Sequence, residues 1–248
     1  MSTIVSAKLV FNIETVPDIA ALRRLHALPQ DLNDFEVAEL VFQKSRAAGL
    51  PDVLPPHLYR VVAISCVLHE AQSLSVSAFA APAQDEPGLL QAFFDLLEAK
   101  TPLCVSWHAS DFALPVLRCR ALMHGVVAPN GLNLLESQHE EMCAQLSGSW
   151  AGAAVPLNEF ASLCGLPSIA TMSDNLVWDA WRSGQASMIR EASEQKAITT
   201  WLLCLRYQRM TGALSSAQYL AEIKHVRDVL GASAAPHWRD FLTAWAVD

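Results

Sequence analysis

The residues that could do chemistry in this 248-residue chain begin with a pair near the N-terminus, Asn12 and Glu14, inside the run LVFNIETVPD that starts at Leu9. Side chains alternate across a strand with a period of two, so both fall on one face of the apolar strand expected at Lys8–Ile13. Two carboxylates at that spacing would share a hard divalent cation. An amide at the first position keeps the shape of an aspartate and gives up its charge. Other candidates lie far along the chain. Asp111 precedes the run LPVLRCRALMH and reads as a helix N-cap, accepting from the free amides of the first turn. Glu191, Glu194 and Lys196 lie on one expected helix, where Glu194 is rotated by roughly 200° from Lys196 and should face away from it. His108 reads either as a base or ligand or as hydrogen-bonded filler.

Positioning such a pair requires a sheet. Short apolar runs rich in β-branched residues predict strands at Lys8–Ile13, Tyr59–Leu68, Ser73–Phe79 and Leu103–Trp107. Helical periodicity predicts helices at Glu36–Ala48, Leu89–Ala99, Ala113–His124, Leu132–Leu146, Leu157–Cys164, Ala186–Met210 and Ser216–Leu230. The Pro-rich stretch from Ala47 to His57 reads as a surface connection. A tail helix from Pro236 spaces Trp238, Phe241 and Trp245 three to four residues apart. That stripe either packs on its own domain or offers a face to a protein partner.

Three segments resemble one known family. In LVFNIETVPD, the positions of an Asp-x-Glu metal motif fall on Asn12, Ile13 and Glu14. VSWHASDFALPVL, from Val105, resembles a second motif with Trp107, Phe112, Leu114, Pro115 and Leu117 in register, His108 at an Asn position and Ala113 at the catalytic Asp position. EASEQKAITTWLLCLRY, from Glu191, fits the third-motif helix and puts Ala192 and Lys196 at its two functional positions. PLNEFASLCGLP from Pro156 and VWDAW from Val177 match intervening segments. From roughly Leu9 to Gly212 the chain resembles the predicted 3′–5′ exonucleases related to the proofreading domain of family B DNA polymerases, within the DnaQ-like (DEDD) superfamily.

The resemblance implies an α/β, RNase H-like fold, a mixed central sheet flanked by helices. Residues 1–248 would form one exonuclease-type domain with a C-terminal helical extension from about 213 to 248. It also implies a two-metal site, in which divalent ions about 4 Å apart activate water and stabilise the leaving oxygen. Of the four carboxylates such a site needs, Glu14 alone remains. Asn12, Ala113 and Lys196 replace the others, and Ala192 stands at the family's auxiliary position. An ammonium at Lys196 would repel a cation as well as fail to ligate it. The expectation is a metal-free site without a cofactor, in a catalytically inactive protein that binds nucleic acid or a protein partner through the remnant groove. Trp107, His108, Phe112 and Arg118 are the candidates for nucleic-acid contact. The alternative is an active exonuclease on single-stranded DNA or RNA ends, using Mg²⁺ or Mn²⁺ on Glu14 and substitute ligands. Without a metal, Lys196 can pair with Glu14 or extend to solvent while Glu14 bonds an amide or water.

Composition sets the wider bounds. With 52% hydrophobic residues the chain can bury a sizeable core, and length alone also admits two domains. No run of about 20 apolar residues is free of charges or breakers, and the N-terminus MSTIVSAK has no basic start with a long apolar centre. A cytoplasmic protein with no membrane span is expected. Six cysteines, Cys66, Cys104, Cys119, Cys143, Cys164 and Cys204, form no CxxC pair and read as buried reduced thiols. A net charge of −8 predicts weak nucleic-acid affinity unless a local basic patch forms. Candidates are Arg118, Arg120 and His124, then Arg182 and Arg190, then Arg206 and Arg209. Trp178, Trp181 and Trp201 could stack bases, although their setting favours core packing.

Overall fold

The structure, a computed structural model, describes residues 7–49, 53–128, 130–148, 155–167 and 174–245. Part of the Pro-rich connection, residues 50–52, and the last three residues of the tail lie outside these ranges. Five strands form one mixed sheet in the order β3-β2-β1-β4-β5. They are β1 (Lys8–Pro17), β2 (Tyr59–Glu70), β3 (Ser73–Ala80), β4 (Leu103–Ser106) and β5 (His139–Glu141). β1 runs antiparallel to β2 and parallel to β4, β3 is antiparallel to β2, and β5 is parallel to β4. Helices cover both faces, giving the α/β, RNase H-like architecture that the resemblance implies.

Alternation along β1 builds two cores. Leu9 and Phe11 point to one face, where they meet Phe93, Phe94 and Leu97 of α3 (Glu86–Lys100) and Val116 and Leu117 of α4 (Ala113–His124). Val10 points to the other, against Ala197, Trp201 and Leu202 of α9 (Ala186–Met210). Asn12 and Glu14 follow Val10 in phase and therefore face α9. A bulge between Glu14 and Thr15 then shifts the register against β2 and re-aims the rest of the strand.

β1 is longer than its parallel neighbour. β4 pairs only with Lys8–Val10, and the chain leaves the sheet after Ser106. The main chain of Phe11–Ile13 is thereby left open on the β4 side, and the gap at the carboxyl end of β4 is where an α/β sheet commonly makes a ligand crevice.

Three sequence expectations change. The single helix expected at Leu132–Leu146 is two short helices, α5 (Gly131–Ser137) and α6 (Met142–Ser147), with β5 between them. Pairing of Cys104–Ser106 with His139–Glu141 overrides the helical pattern there. Two helices were not anticipated: α1 (Ile19–His26), capped by Asp18, and α8 (Asp174–Arg182). Asp111 does not cap α4, whose N-cap is Phe112 with no side-chain bond. The Ala109 carbonyl accepts from both Phe112 and Leu114, so first-turn amides are served by the main chain.

The other helices are α2 (Asp34–Ala47), α7 (Leu157–Leu163), α10 (Ser216–Gly231) and α11 (Pro236–Ala244). α2 opens with a capping box between Asn33 and Glu36. The stripe of Trp238, Phe241 and Trp245 is buried in the same cluster as Val10 and Trp201, so it is not a free face for a partner. Trp201 is buried as core and stacks on His69, while Trp178 and Trp181 pack against the cluster around Val16, Ala180 and Ala192.

Candidate functional site

A cleft of about 340 Å³ opens where β4 ends. Asn12, Trp107, His108, Phe112, Ala113 and Lys196 all line it. Residues from the three sequence motifs, up to 184 positions apart from Asn12 to Lys196, thus converge on one site. Ala192 does not line the cleft; one turn earlier on α9, it packs with Val16, Val177 and Ala180.

The centre of the site is a compact polar contact. Lys196 Nζ donates to Glu14 Oε1 at 2.7 Å, the first of the two arrangements the sequence admits. Asn12 Nδ2 donates to the same oxygen at 2.8 Å and to Ser193 Oγ at 3.0 Å. A carboxylate can only accept, so the amide nitrogen of Asn12 must be the atom turned toward it. The Glu14 side chain is 4% exposed and that of Lys196 16%, so the ion pair is largely withdrawn from water. Ser193 is three residues before Lys196 and on its face of the helix; that spacing is the signal by which the sequence could have shown it.

Glu141 was hidden inside the expected helix. Placed on β5, it receives Ser110 Oγ at 2.6 Å and lies 2.8 Å from His108 Nδ1. Burial alone would raise its carboxyl, but the hydrogen bonds from Ser110 and His108 outweigh this and hold it below the ordinary glutamate range. His108 is therefore not a lone histidine. Its Nδ1 must carry the proton shared with the carboxylate, leaving Nε2 as the free ring nitrogen. Asp111, with its side chain 84% exposed, comes no nearer than 3.8 Å to Nε2. Behind the cleft wall, Ser106 Oγ lies 2.9 Å from His139 Nε2, and burial pushes His139 toward the neutral imidazole.

Aromatic residues make up one wall. Trp107 donates Nε1–H to the Val155 carbonyl at 2.8 Å and packs its ring on Phe160. Phe112 meets Tyr59 edge to face at 5.0 Å between centroids. These contacts fix both rings, Trp107 largely buried and Phe112 half-buried at the cleft.

The candidate basic residues do not assemble into a patch. Arg118 stays outside the cleft lining and pairs with Glu136 at 2.7 Å on the surface. Arg120 is buried: it forks onto both oxygens of Glu86 at 2.7 and 2.5 Å and reaches Asp18 at 2.7 Å. His124 joins at 2.9 Å from Glu86. Burial alone would raise Asp18, and the Ala21 amide and Arg120 outweigh it, holding its carboxyl low. This network ties the end of β1 to α3 and α4 and presents no charge to a phosphate. Arg182 lies over Phe35 and Trp178 and bonds Asp179, while Arg190 lies near Glu191 and Glu194. Arg206 donates to the Cys164 carbonyl, and Arg209 lies over Tyr219. Glu194 turns away from Lys196, as its spacing requires, toward His237 of α11. None of the six cysteines is in a disulfide; Cys119 and Cys164 are half-buried and the other four buried, with burial pushing the Cys104 thiol up to about 12.

Whether these residues fit divalent ions is a question of donor chemistry. Mg²⁺ asks for near-octahedral oxygen ligands, several of them anionic. Here the single central carboxylate already accepts from an ammonium and an amide on one oxygen. Among the described residues, no group of three or more His, Cys, Asp or Glu converges so as to hold an ion. The donor set does not fit a two-metal centre.

No curated protein matches the chain. A family model described as a predicted 3′–5′ exonuclease related to the exonuclease domain of PolB matches residues 51–245. The match begins downstream of β1, so the place of Asn12 rests on the sheet and the cleft, and that of Glu14, which lies beneath the cleft lining, on the sheet and its bond to Lys196. At the other end it runs past Gly212 through α10 and α11. With most of its length covered, the chain belongs to the family of predicted 3′–5′ exonucleases related to the exonuclease domain of PolB.

Proposed function

We propose that this is an exonuclease-fold protein that no longer hydrolyses phosphodiesters and instead uses its cleft to bind a single-stranded nucleic-acid end. The carrying observation is the Lys196–Glu14 contact at 2.7 Å. It commits the remaining carboxylate of the motifs to an ammonium. The cleft keeps what binding needs. Phe112 offers ring surface for a base, with the edge of Trp107 beside it, Lys196 offers a donor for a phosphate oxygen, and the free Nε2 of His108 offers an acceptor for a hydroxyl or a base edge. Glu14 offsets the Lys196 charge and Glu141 adds a second anion nearby, so affinity is expected to be weak and salt-dependent. The same offset suits a polar protein segment as second occupant of the groove. The shared cluster of Val10, Trp201, Trp238 and Phe241 supports residues 1–248 as one folding unit. No helix among the described residues is long and apolar enough to cross a membrane, and a cytoplasmic location is part of this proposal.

The test pairs two assays on the same labelled single-stranded DNA and RNA oligonucleotides. Anisotropy should report binding that is unaffected by EDTA and weakened by Phe112→Ala. Incubation with Mn²⁺ should leave the oligonucleotides intact. Trimming that requires Mn²⁺ and is abolished by Glu14→Gln would restore the active-exonuclease reading. The triple variant Asn12→Asp, Ala113→Asp, Lys196→Asp should gain Mn²⁺ binding by calorimetry, and each single substitution should not, because one carboxylate more does not complete the coordination sphere.

A further inference from the structure

The two edges of the sheet are treated differently. β5 is three residues long and carries Glu140 and Glu141, so it is short and charged, as protected edges are. β3 at the opposite edge is eight residues, SLSVSAFA, with no charge, no proline and an unbroken register against β2. Among the described residues the strand carries no charge, proline or bulge to blunt it.

The phase of the β2–β3 hairpin fixes which main-chain groups are unused. Its two-residue turn, Ala71–Gln72, closes on the pair Glu70–Ser73, which exchanges hydrogen bonds across the ladder. Ser73, Ser75, Ser77 and Phe79 therefore spend their main-chain groups on β2, and Ala81 continues the phase by donating to the Val62 carbonyl at 3.0 Å. Leu74, Val76 and Ala78 aim their N–H and C=O groups away from the sheet. Among the described residues no main-chain group takes these up.

We propose that β3 pairs antiparallel with β3 of a second copy of this chain, joining two sheets across a twofold axis at Val76. Identical strands related by a twofold axis can pair in only the antiparallel sense. With the axis at Val76, that residue faces its own mate, Leu74 faces Ala78, and Ser75 faces Ser77. Every outward donor then meets an outward acceptor. On one face, small hydroxyls lie opposite one another, a pairing that sheets favour. On the other, a large and a small apolar side chain face each other on each side of the Val76 pair. The strand bears no charge, so self-pairing brings no like charges together, despite the net −8 of the chain. α10 contributes to the cluster holding Leu74 and Val76, and its Leu220 is 61% exposed, which would extend the contact beyond the strands.

Light scattering behind size exclusion, run on the full chain from about 1 to 200 µM to bracket a micromolar affinity, tests this directly. The mass should rise from 27.0 kDa toward twice that value with concentration. Ser75→Glu with Ser77→Glu places carboxylates on exposed positions opposite each other and should return the monomer with an unchanged circular dichroism spectrum. Val76→Pro, which removes an outward N–H and leaves the β2 ladder intact, should do the same. Val76→Cys should oxidise to a covalent dimer, since facing residues of a hydrogen-bonded pair lie about 5.5 Å apart at Cα, within disulfide range. A mass of 27.0 kDa at every concentration overturns the proposal, as does a dimer that persists in the double glutamate variant or that does not cross-link through Cys at 76.

Discussion

Lys196→Met should destabilise the fold, and the structure sets the size of the effect. The substitution keeps most of the apolar stem and removes only the ammonium. Glu14 is then left 4% exposed with its charge no longer countered. Removing one partner of a buried pair costs roughly 3–5 kcal/mol. Glu14 retains the Asn12 amide at 2.8 Å, which places the expectation toward the lower end, about 3 kcal/mol. For a chain of this size that is a fall in Tm of roughly 6–12 °C. Glu14→Gln should cost only about 1 kcal/mol, because the Lys196 stem is long enough to carry its charge to water. The double variant removes both charges and should recover most of the loss. Urea titration followed by tryptophan fluorescence, with seven tryptophans as reporters, gives all four corners of the cycle. A Lys196→Met protein within about 0.5 kcal/mol of the parent would refute the reasoning, and so would a double variant no better than the single.

Arg120→Met should be more damaging than any change at the surface arginines, by roughly 3–5 kcal/mol, because it strands Glu86 and Asp18 beneath the end of β1. Arg118→Ala, which loses only an exposed pair, should stay within about 0.5 kcal/mol, and equal Tm values for the two variants would contradict this contrast. Acidification should loosen the junction of α11 with α9. Burial holds His237 below its ordinary value of 6.5, so in the window beneath 6.5 the unfolded chain takes up a proton that the folded chain refuses, and stability is lost as pH falls toward the folded value. Glu194 works oppositely: burial raises its carboxyl above 4.5, so its contribution is lost as pH rises from 4.5 through the folded value. Comparing Tm at pH 7.5 and 5.5, a range chosen to bracket the usual imidazole transition, His237→Gln should lose less on acidification than the parent. Equal losses would show that His237 is not the group responsible.

What the sequence made legible was local or carried by the motif register. The period-two run in β1 placed Asn12 and Glu14 on one face without further information, and the register of the third-motif helix set Lys196 opposite them. What it hid depended on partners distant in the chain. Arg120 looks like a surface arginine beside Arg118 until Glu86 is found 34 residues away. His108 looks solitary until Glu141, 33 residues on, is delivered by a three-residue strand inside a run whose apolar spacing is helical. Asp111 failed as a cap because the Ala109 carbonyl had already taken the amides it would have served. In each case a long-range bond decided the role of a residue whose local pattern favoured another.

The charge arithmetic at Glu14 explains how these residues hold one another in place. Carboxylates clustered around a cation would repel one another if the cation left. Here Asn12, Ala113 and Lys196 remove that difficulty together: one carboxylate, one ammonium and one amide sum to zero and satisfy one another within 2.8 Å. Changing Asn12 to Asp alone would replace a donor by a second anion against the same oxygen, and changing Lys196 to Asp alone would remove the ammonium and add another negative charge. Neither step is favourable until a divalent ion binds, and a divalent ion has too few ligands to bind until both have occurred. The present arrangement is thus a local minimum with respect to single changes, which is the physical reason to expect the three substitutions to behave as one coupled unit.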